Sequence, residues 1–493
     1  MSMLIDGQRL CCADLHAIAH GASAELDEGA RARMVTNVQS MPEGPSILEE
    51  KRHWLVGGFA DDLDDDALCK TFILGHCAGV GEPLPSPLVR ATMAARANVL
   101  ANAKTGCRPQ AADILISMLN LGEVPTVPSQ GSVGAAGDLA PLAHIARVAC
   151  GYVDAPNPSL PVYRPNSKEA LALINGISMT AALGAMAVVR IERLLDATIL
   201  ATAMTMEAMG TDAGCIDDRL LKARSHPGGV TVGERLRTLL EGSSQVTAGK
   251  GAGAFSIRAA PAVIGTLVDA LDSTRTIIER ELNGAGDNPL LIDGTWIEGG
   301  NFHGAPVAQS LDALKIALTQ LATGSERRTF RLTYGQLSKG LPSFLVRGTG
   351  LNSGFMLAQY TAASLASECK GLAFPASVDT IPTVQHHDDH VSMGPISARM
   401  LLEMVECVAD IVGIEILVAA QALDLRMRGI GFDASGASIA AKPVTLAPAI
   451  AQTHQRIRAH IDYWADDGLL HPALEAAGTL VRSGKIIENT GPW

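Results

Sequence analysis

The stretch Gln385-His386-His387-Asp388-Asp389-His390 places three imidazoles and two carboxylates within six positions. Imidazole titrates at about 6.5, so such a set can exchange protons with a substrate near neutral pH. His386 and His390 stand four apart and would share a face if the segment were helical, which leaves metal ligation open. The alternatives are capping of a helix N-terminus by Asp388 or Asp389, or direct proton transfer and substrate binding. Arg258, in AFSIRAA, is an isolated charge among small residues, and suits either a buried ion pair or a clamp for a substrate carboxylate. Asn175 in LALINGIS and His76 in ILGHCAGVGEP each end an apolar run, where a polar group must find a partner. Gly249-Lys250-Gly251-Ala252-Gly253 invites a phosphate-loop reading, but it has no Ser or Thr after Gly-Lys and no preceding strand.

Long rods are needed to position such residues, and the sequence supplies them. Of 493 residues, 47% are apolar, 18% charged and only 4% aromatic, a composition of Ala, Leu, Ile and Val suited to packed helices. Apolar residues recur at Val307, Leu311, Leu314, Leu318 and Leu321, predicting a helix that ends in the charged run 325–328. Further long helices are predicted over 396–425 and 177–209. In the last of these Arg190, Glu192, Arg193 and Asp196 interrupt the apolar run, so it falls short of a membrane span of about 18–20 residues. Strand signals are weak. Gly- and Pro-rich loops at 53–65, 131–138, 249–258, 299–304 and 383–394 connect the rods and carry the polar clusters, the usual layout of an active site on a rigid scaffold. The Pro-rich segment 151–168 reads as a surface loop.

A net charge of −12 without a basic tract argues against nucleic acid or an anionic membrane as partner. Nine cysteines without paired spacing and a start, MSMLIDGQRL, lacking a signal pattern lead to the expectation of a cytoplasmic protein with free thiols.

Taken together and in order, ILGHCAGVGEPL (73–84), GSVGAAGDLAPLAH (131–144), LALINGIS (171–178), GAFSIR (253–258), GDNPL (286–290), GGNFHGAPVA (299–308), SERR (325–328), LNSGFMLAQ (351–359), FPASVDTIPT (374–383) and DDHVSMGP (388–395) resemble motifs of the aromatic amino acid ammonia-lyases, histidine ammonia-lyase above all. The resemblance covers almost the whole chain. It implies a mostly α fold, a long-helix bundle of the fumarase/aspartase-like type. One ammonia-lyase-like chain would span 1–493, with a loop-rich N-terminal part to about 170 carrying the site loops and a helical bundle from about 171 onward. It further implies a homotetramer with active sites shared between subunits.

Members of that family activate a poor amine leaving group with methylidene-imidazolone (MIO), an electrophile formed from an Ala-Ser-Gly tripeptide. The matching tripeptide here is Ala135-Ala136-Gly137, and Ala136 has no hydroxyl to eliminate. The expectation that follows is a chain without MIO and with no other cofactor or metal. Other positions differ too. His53-Trp54-Leu55-Val56-Gly57 stands where the family carries a catalytic Tyr, Phe255 replaces a second Tyr, and Asp388, preceded by His386 and His387, replaces a Glu. His76, Asn175, Arg258 and Phe302 match the family pattern.

The resemblance then suggests an imidazole- or betaine-bearing carboxylate substrate, with Arg258 and Asn175 on the carboxylate. His53, or alternatively Lys51, is the expected base, while Asp388, His387 and His76 face the ring. Trp54, Phe255 and Phe302 would line a trimethylammonium pocket by cation–π contact. The reaction expected is that of an ergothionase, 1,2-elimination of trimethylamine from ergothioneine to give thiourocanate. The alternatives are a lyase on another histidine- or betaine-like substrate and an inactive homologue, natural or with an engineered Ser-to-Ala change.

Overall fold

The computed structural model of the chain describes residues 2–42, 64–251, 253–432 and 438–486. It is mostly α-helical. The strands among these residues form four two-stranded sheets: Met3–Ile5 with Ala24–Leu26 in parallel, and Val80–Pro83 with Pro128–Gln130, Leu290–Ile292 with Thr295–Ile297, and Ile430–Phe432 with Ser438–Ala440, all antiparallel. None of the described helices is long and apolar enough to cross a membrane.

The predicted rods are present with shifted ends. They run Ser178–Met209, Ala305–Thr333 and Gly394–Met427; two more, Ala260–Leu282 and Met356–Leu372, are not among the predicted rods, although Ile264, Leu267, Val268, Leu271, Ile278 and Leu282 recur with helical spacing in the first and are buried. The helix from Ala305 does not stop at the 325–328 run, because Ser325, Glu326 and Arg328 are buried rather than solvated. In Ser178–Met209, burial on nearly every side is reconciled with polar side chains locally. Thr198 and Thr202 donate their hydroxyls to the carbonyls of Leu194 and Thr198 at 2.7 and 2.8 Å, four residues back.

The chain forms two compact units. The first comprises 1–189, 273–312 and 375–400. Its core is the helix Ser86–Ala101, in which every residue from Leu88 onward is buried. Two polar residues of this helix tie down other elements. Arg90 donates to the carbonyls of Ile18 and Leu119, near the C-terminal ends of helices Cys12–Ala19 and Gln110–Leu121, where carbonyls lack helical partners. Asn98 accepts from Gly7 N at 2.8 Å and donates to Leu282 O at 2.9 Å. The N-terminal part holds more helix than its loop-rich reading suggests: six helices precede residue 150 among the described residues.

The second unit comprises 190–272, 313–374 and 401–493. Its central polar contact is Glu415, fully buried, which takes Arg328 Nε and Nη2 at 2.6 and 2.8 Å. The same carboxylate also accepts from Ser325 Oγ at 2.6 Å and Thr205 Oγ1 at 2.8 Å. Four hydrogen bonds therefore saturate a charge that could not otherwise be buried. Glu415→Ala is expected to strand the Arg328 guanidinium and cost about 3–5 kcal/mol, while an Arg328→Met, Glu415→Leu double variant costs much less. Guanidinium denaturation of both variants measures this; a loss under about 1 kcal/mol for Glu415→Ala would show the pair is not structural.

Candidate functional site

In the first unit, four loops meet through contacts too close for side chains. Gly137 (φ +91°) and Gly176 (φ +117°) form a short parallel bridge, with Asp138 N donating to Gly176 O at 2.8 Å and Gly176 N to Ala136 O at 3.2 Å. A Cβ at 137 would collide with the Gly176 backbone, and one at 176 with the Gly286 carbonyl oxygen. Both positions therefore require glycine, in backbone conformation as well as in space. Ser392 connects the other loops: its Oγ donates to Gly134 O at 3.3 Å, and a Cβ at Gly304 would lie 3.0 Å from the same Oγ and 3.1 Å from Ile177. Met393 N donates to Val133 O at 2.9 Å. Ala135, Ala376, Val391 and Met393 pack together beneath. Segments 131–138, 175–177, 302–304 and 388–393 are thereby gathered at one place.

Asn175 ends the helix Ser167–Ile174. Its Nδ2 donates to Asn288 O at 3.4 Å, while its Oδ1 is buried and has no donor among the described residues. A buried acceptor left unpaired costs about 1–3 kcal/mol, so this oxygen is poised for a ligand donor. The GDNPL motif holds Asn175 from behind. Asp287 is fixed by Lys168 at 2.6 Å in a buried ion pair, and Asn288 Oδ1 accepts from Gly299 N at 2.6 Å, which anchors the loop carrying Phe302.

His76 is the last residue of the helix Asp65–His76. Its Nδ1 lies 2.7 Å from Phe72 O. A carbonyl oxygen can only accept, so Nδ1 carries the proton and Nε2 of the neutral ring is a bare lone pair. Asp388 is half-buried, its backbone paired with Thr383, and no partner for its carboxylate is present among the described residues. His387 is exposed on the same segment. This segment is not helical: Val384, Gln385 and His386 have positive φ, so His386 and His390 do not share a helix face. Among the described residues no group of three or more His, Cys, Asp or Glu is arranged to hold a metal. His390 pairs instead with His303, a residue that sequence reasoning passes over in favour of its neighbour Phe302.

Beneath the loop lies a buried charge cluster that no sequence motif singles out. Arg96, 1% exposed, donates to the carbonyls of Ala172 and Gly286. Asp138 accepts from Thr180 N at 2.8 Å and Thr180 Oγ1 at 2.9 Å, yet burial pushes its carboxyl up to about 6. Burial, then the charge of Asp138, pushes Glu281 up to about 7. The signal that could have found Asp138 is its place directly after Gly137.

The second unit carries Phe255 and Arg258 on one turn of helix, Phe255–Arg258. The Arg258 guanidinium stacks 4.5 Å above the Phe255 ring, and no acidic partner for it is present among the described residues. Both line a cavity of about 640 Å³ with Thr211, Asp212 and Ile257. Phe255 is 73% exposed. Arg328 Nη1 holds the turn by donating to Ser256 O at 3.3 Å. The neighbouring glycine loop is anchored on Asp212, which accepts from Gly251 N at 2.9 Å and Gly214 N at 2.7 Å. A carboxylate thus occupies amides that a phosphate would need, against a phosphate-loop reading. Lys51, His53 and Trp54 lie outside the described residues.

Comparison with known proteins identifies the family and the fold. The aromatic amino acid lyase family matches residues 10–459. A histidine ammonia-lyase of Anaeromyxobacter sp. (strain K) is 39% identical over 523 residues, covering 98% of this chain and 99% of the relative. Among solved structures, the histidine ammonia-lyase of Trypanosoma cruzi superposes with a TM-score of 0.85 at 32% identity, covering 99% of this chain and 94% of that one. The ergothioneine-degrading ergothionase of Treponema denticola superposes with a TM-score of 0.84 at 22% identity, covering 99% and 100%, a likeness of fold. The chain belongs to the aromatic amino acid lyase family, and its helical fold is the ammonia-lyase fold.

This membership corrects one expectation. A chain with no cofactor is not what its relatives support: relatives 39% and 38% identical to it over 98% of its length are histidine ammonia-lyases, members of the family that the resemblance equips with MIO. The tripeptide itself, Ala135-Ala136-Gly137, offers a methyl where the family's route to that group begins from a hydroxyl, and no step of the proposed reaction runs through it.

The cluster beneath the loop has a measurable consequence. Asp138 binds its proton more tightly in the folded state than its ordinary 3.8, so the folded state holds the extra proton between about pH 4 and 6. Stability therefore falls as pH rises through that window, by on the order of 3 kcal/mol at most. Asp138→Asn is expected to flatten this slope in denaturation midpoints read from pH 4 to 7. An unchanged slope would show that Asp138 does not titrate there.

Proposed function

We propose that this lyase eliminates trimethylamine from ergothioneine, leaving thiourocanate. The observation that carries the reading is the pairing, in one cavity, of the Arg258 guanidinium with the exposed, hydroxyl-free ring of Phe255. A betaine offers a carboxylate and a quaternary ammonium on the same carbon. The first suits a guanidinium, and the second suits an aromatic face rather than a hydroxyl, since it has no N–H to donate. A quaternary nitrogen leaves as a neutral amine and needs no proton delivered to it. What remains is removal of the β-proton, for which a positioned base contributes about 10²–10⁴ in rate.

In this reading, with active sites shared between subunits, Arg258 of one copy and Asn175 of another bind the carboxylate and its surroundings, and His76 presents its Nε2 lone pair to an imidazole N–H. Asp388 and His387 manage ring protonation, and Phe302 and Trp54 add apolar walls. His53 is the proposed base, with Lys51 second. We further propose a homotetramer with active sites shared between subunits, in a cytoplasmic setting. A second reading, ammonia elimination from histidine, is favoured by the 39% identity to a histidine ammonia-lyase.

The test is to incubate the purified protein with ergothioneine and separately with histidine, following the conjugated acrylate by ultraviolet absorbance and the released amine by mass spectrometry. Trimethylamine from ergothioneine alone is the expected result; ammonia from histidine alone would overturn it in favour of the second reading. On the active substrate, Asn175→Ala is expected to lower kcat/KM by roughly 10²–10³, as for loss of one preorganised polar contact. Arg258→Lys is expected to raise KM about 10–100-fold, since a bidentate fork becomes a point charge.

A further inference from the structure

The pair His303–His390 has its proton positions determined by the backbone. Ala305 N donates to His303 Nδ1 at 3.3 Å. A backbone N–H can only donate, so His303 Nδ1 is an acceptor and the ring proton sits on Nε2. That Nε2 lies 3.1 Å from His390 Nδ1, with ring centroids 5.2 Å apart and planes tilted by 36°. His303 Nε2–H therefore donates to His390 Nδ1, and the proton of the neutral His390 ring must be on Nε2. In that tautomer the ring donates from its far side.

Both partners are held in place. His303 N donates to Gly300 O at 2.9 Å. Immediately after His390, Val391 N donates to Thr380 Oγ1 at 2.9 Å and Met393 N to Val133 O at 2.9 Å, the latter on the loop leading to Ala135–Gly137. His390 is exposed and lies two residues from Asp388.

We propose that His303 is a positioning residue that locks His390 as a neutral Nε2–H donor toward the substrate, and that this donor meets an electron-rich acceptor: a carboxylate, or the ring sulfur or nitrogen of a thioimidazole. Asp388, two residues before it, can only accept while ionised, so the two residues offer opposite hydrogen-bonding roles on one segment. For its substrate class the inference rests on the proposed ergothioneine elimination; for the tautomer it does not.

The experiment follows from the direction of the chain of donors. Solid-state 15N NMR of sedimented protein labelled with [15N]histidine, with His390→Gln used to identify the His390 signals, reads which ring nitrogen is protonated without any substrate. Wild type and His303→Gln, whose amide can still donate, are expected to show His390 protonated on Nε2. His303→Glu, which can only accept when ionised, is expected to move the proton to Nδ1 or to protonate both nitrogens. On whichever of ergothioneine or histidine is turned over, His303→Ala and His303→Glu are expected to lower kcat/KM by about 10–100-fold, the range typical of partners that orient a functional imidazole, with His303→Gln restoring most of it. Finding the wild-type proton on Nδ1, or the same His390 tautomer in His303→Glu as in wild type, would overturn the proposal even if neither substrate reacts. Equal activity of His303→Gln and His303→Glu, with the expected tautomers in place, would overturn the donor role.

Discussion

Three backbone segments approach one another so closely at Gly137, Gly176 and Gly286 that no side chain fits at the first two. Everything else in the first unit's site follows from that approach. It brings Asp138 under the loop, where Thr180 satisfies its oxygens, and it sets Asn175 one residue from the contact with its Oδ1 unpaired. The contact also needs a floor. Arg96 supplies it by reaching the carbonyls of Gly286 and Ala172, a role open to a long, planar, multi-donor side chain and closed to an apolar one. Burying Arg96 in turn requires negative charge nearby, supplied first by Asp287 and then by Asp138 and Glu281, the last two with proton affinities raised by their own burial.

Polar groups are saturated at some places in the two units and left open at others. In the second, Glu415 is saturated by Arg328, Ser325 and Thr205, so it contributes rigidity and leaves nothing for a ligand. In the first, several groups are left incompletely partnered: Asn175 Oδ1, the Nε2 of His76 and the carboxylate of Asp388. Saturation marks scaffold, and incompleteness marks the places where a substrate can complete a hydrogen bond. Arg258, in the second unit, belongs with the incomplete groups, because it has an aromatic ring beside it and no acidic partner among the described residues.

The family and the helical architecture are legible in the residues. Ten ordered motifs and a low-aromatic, Ala- and Leu-rich composition suffice for both. His76 and Asn175 are legible as candidate site residues because each ends an apolar run, a signal carried by local sequence, whereas Phe302 is legible only through the resemblance to the family. Other features are not legible, for physical reasons. Helical spacing of His386 and His390 means nothing once three consecutive residues before His387 adopt positive φ. The 325–328 run resembles a solvated helix end because charge in a sequence does not disclose whether a partner such as Glu415, 87 residues from Arg328, will neutralise it.

The residue types and their order by themselves determined the fold class, the kinship and the presence of Ala at 136. They also determined which side chains could act as acids, bases or clamps. Tertiary structure alone decided which of those groups are paired and which are free, because pairing depends on distances between segments far apart in the chain. His303 is the clearest case. Its sequence neighbours suggest nothing, yet an amide two residues on and an imidazole 87 residues away fix which of its nitrogens holds the proton, and through it the face that His390 offers.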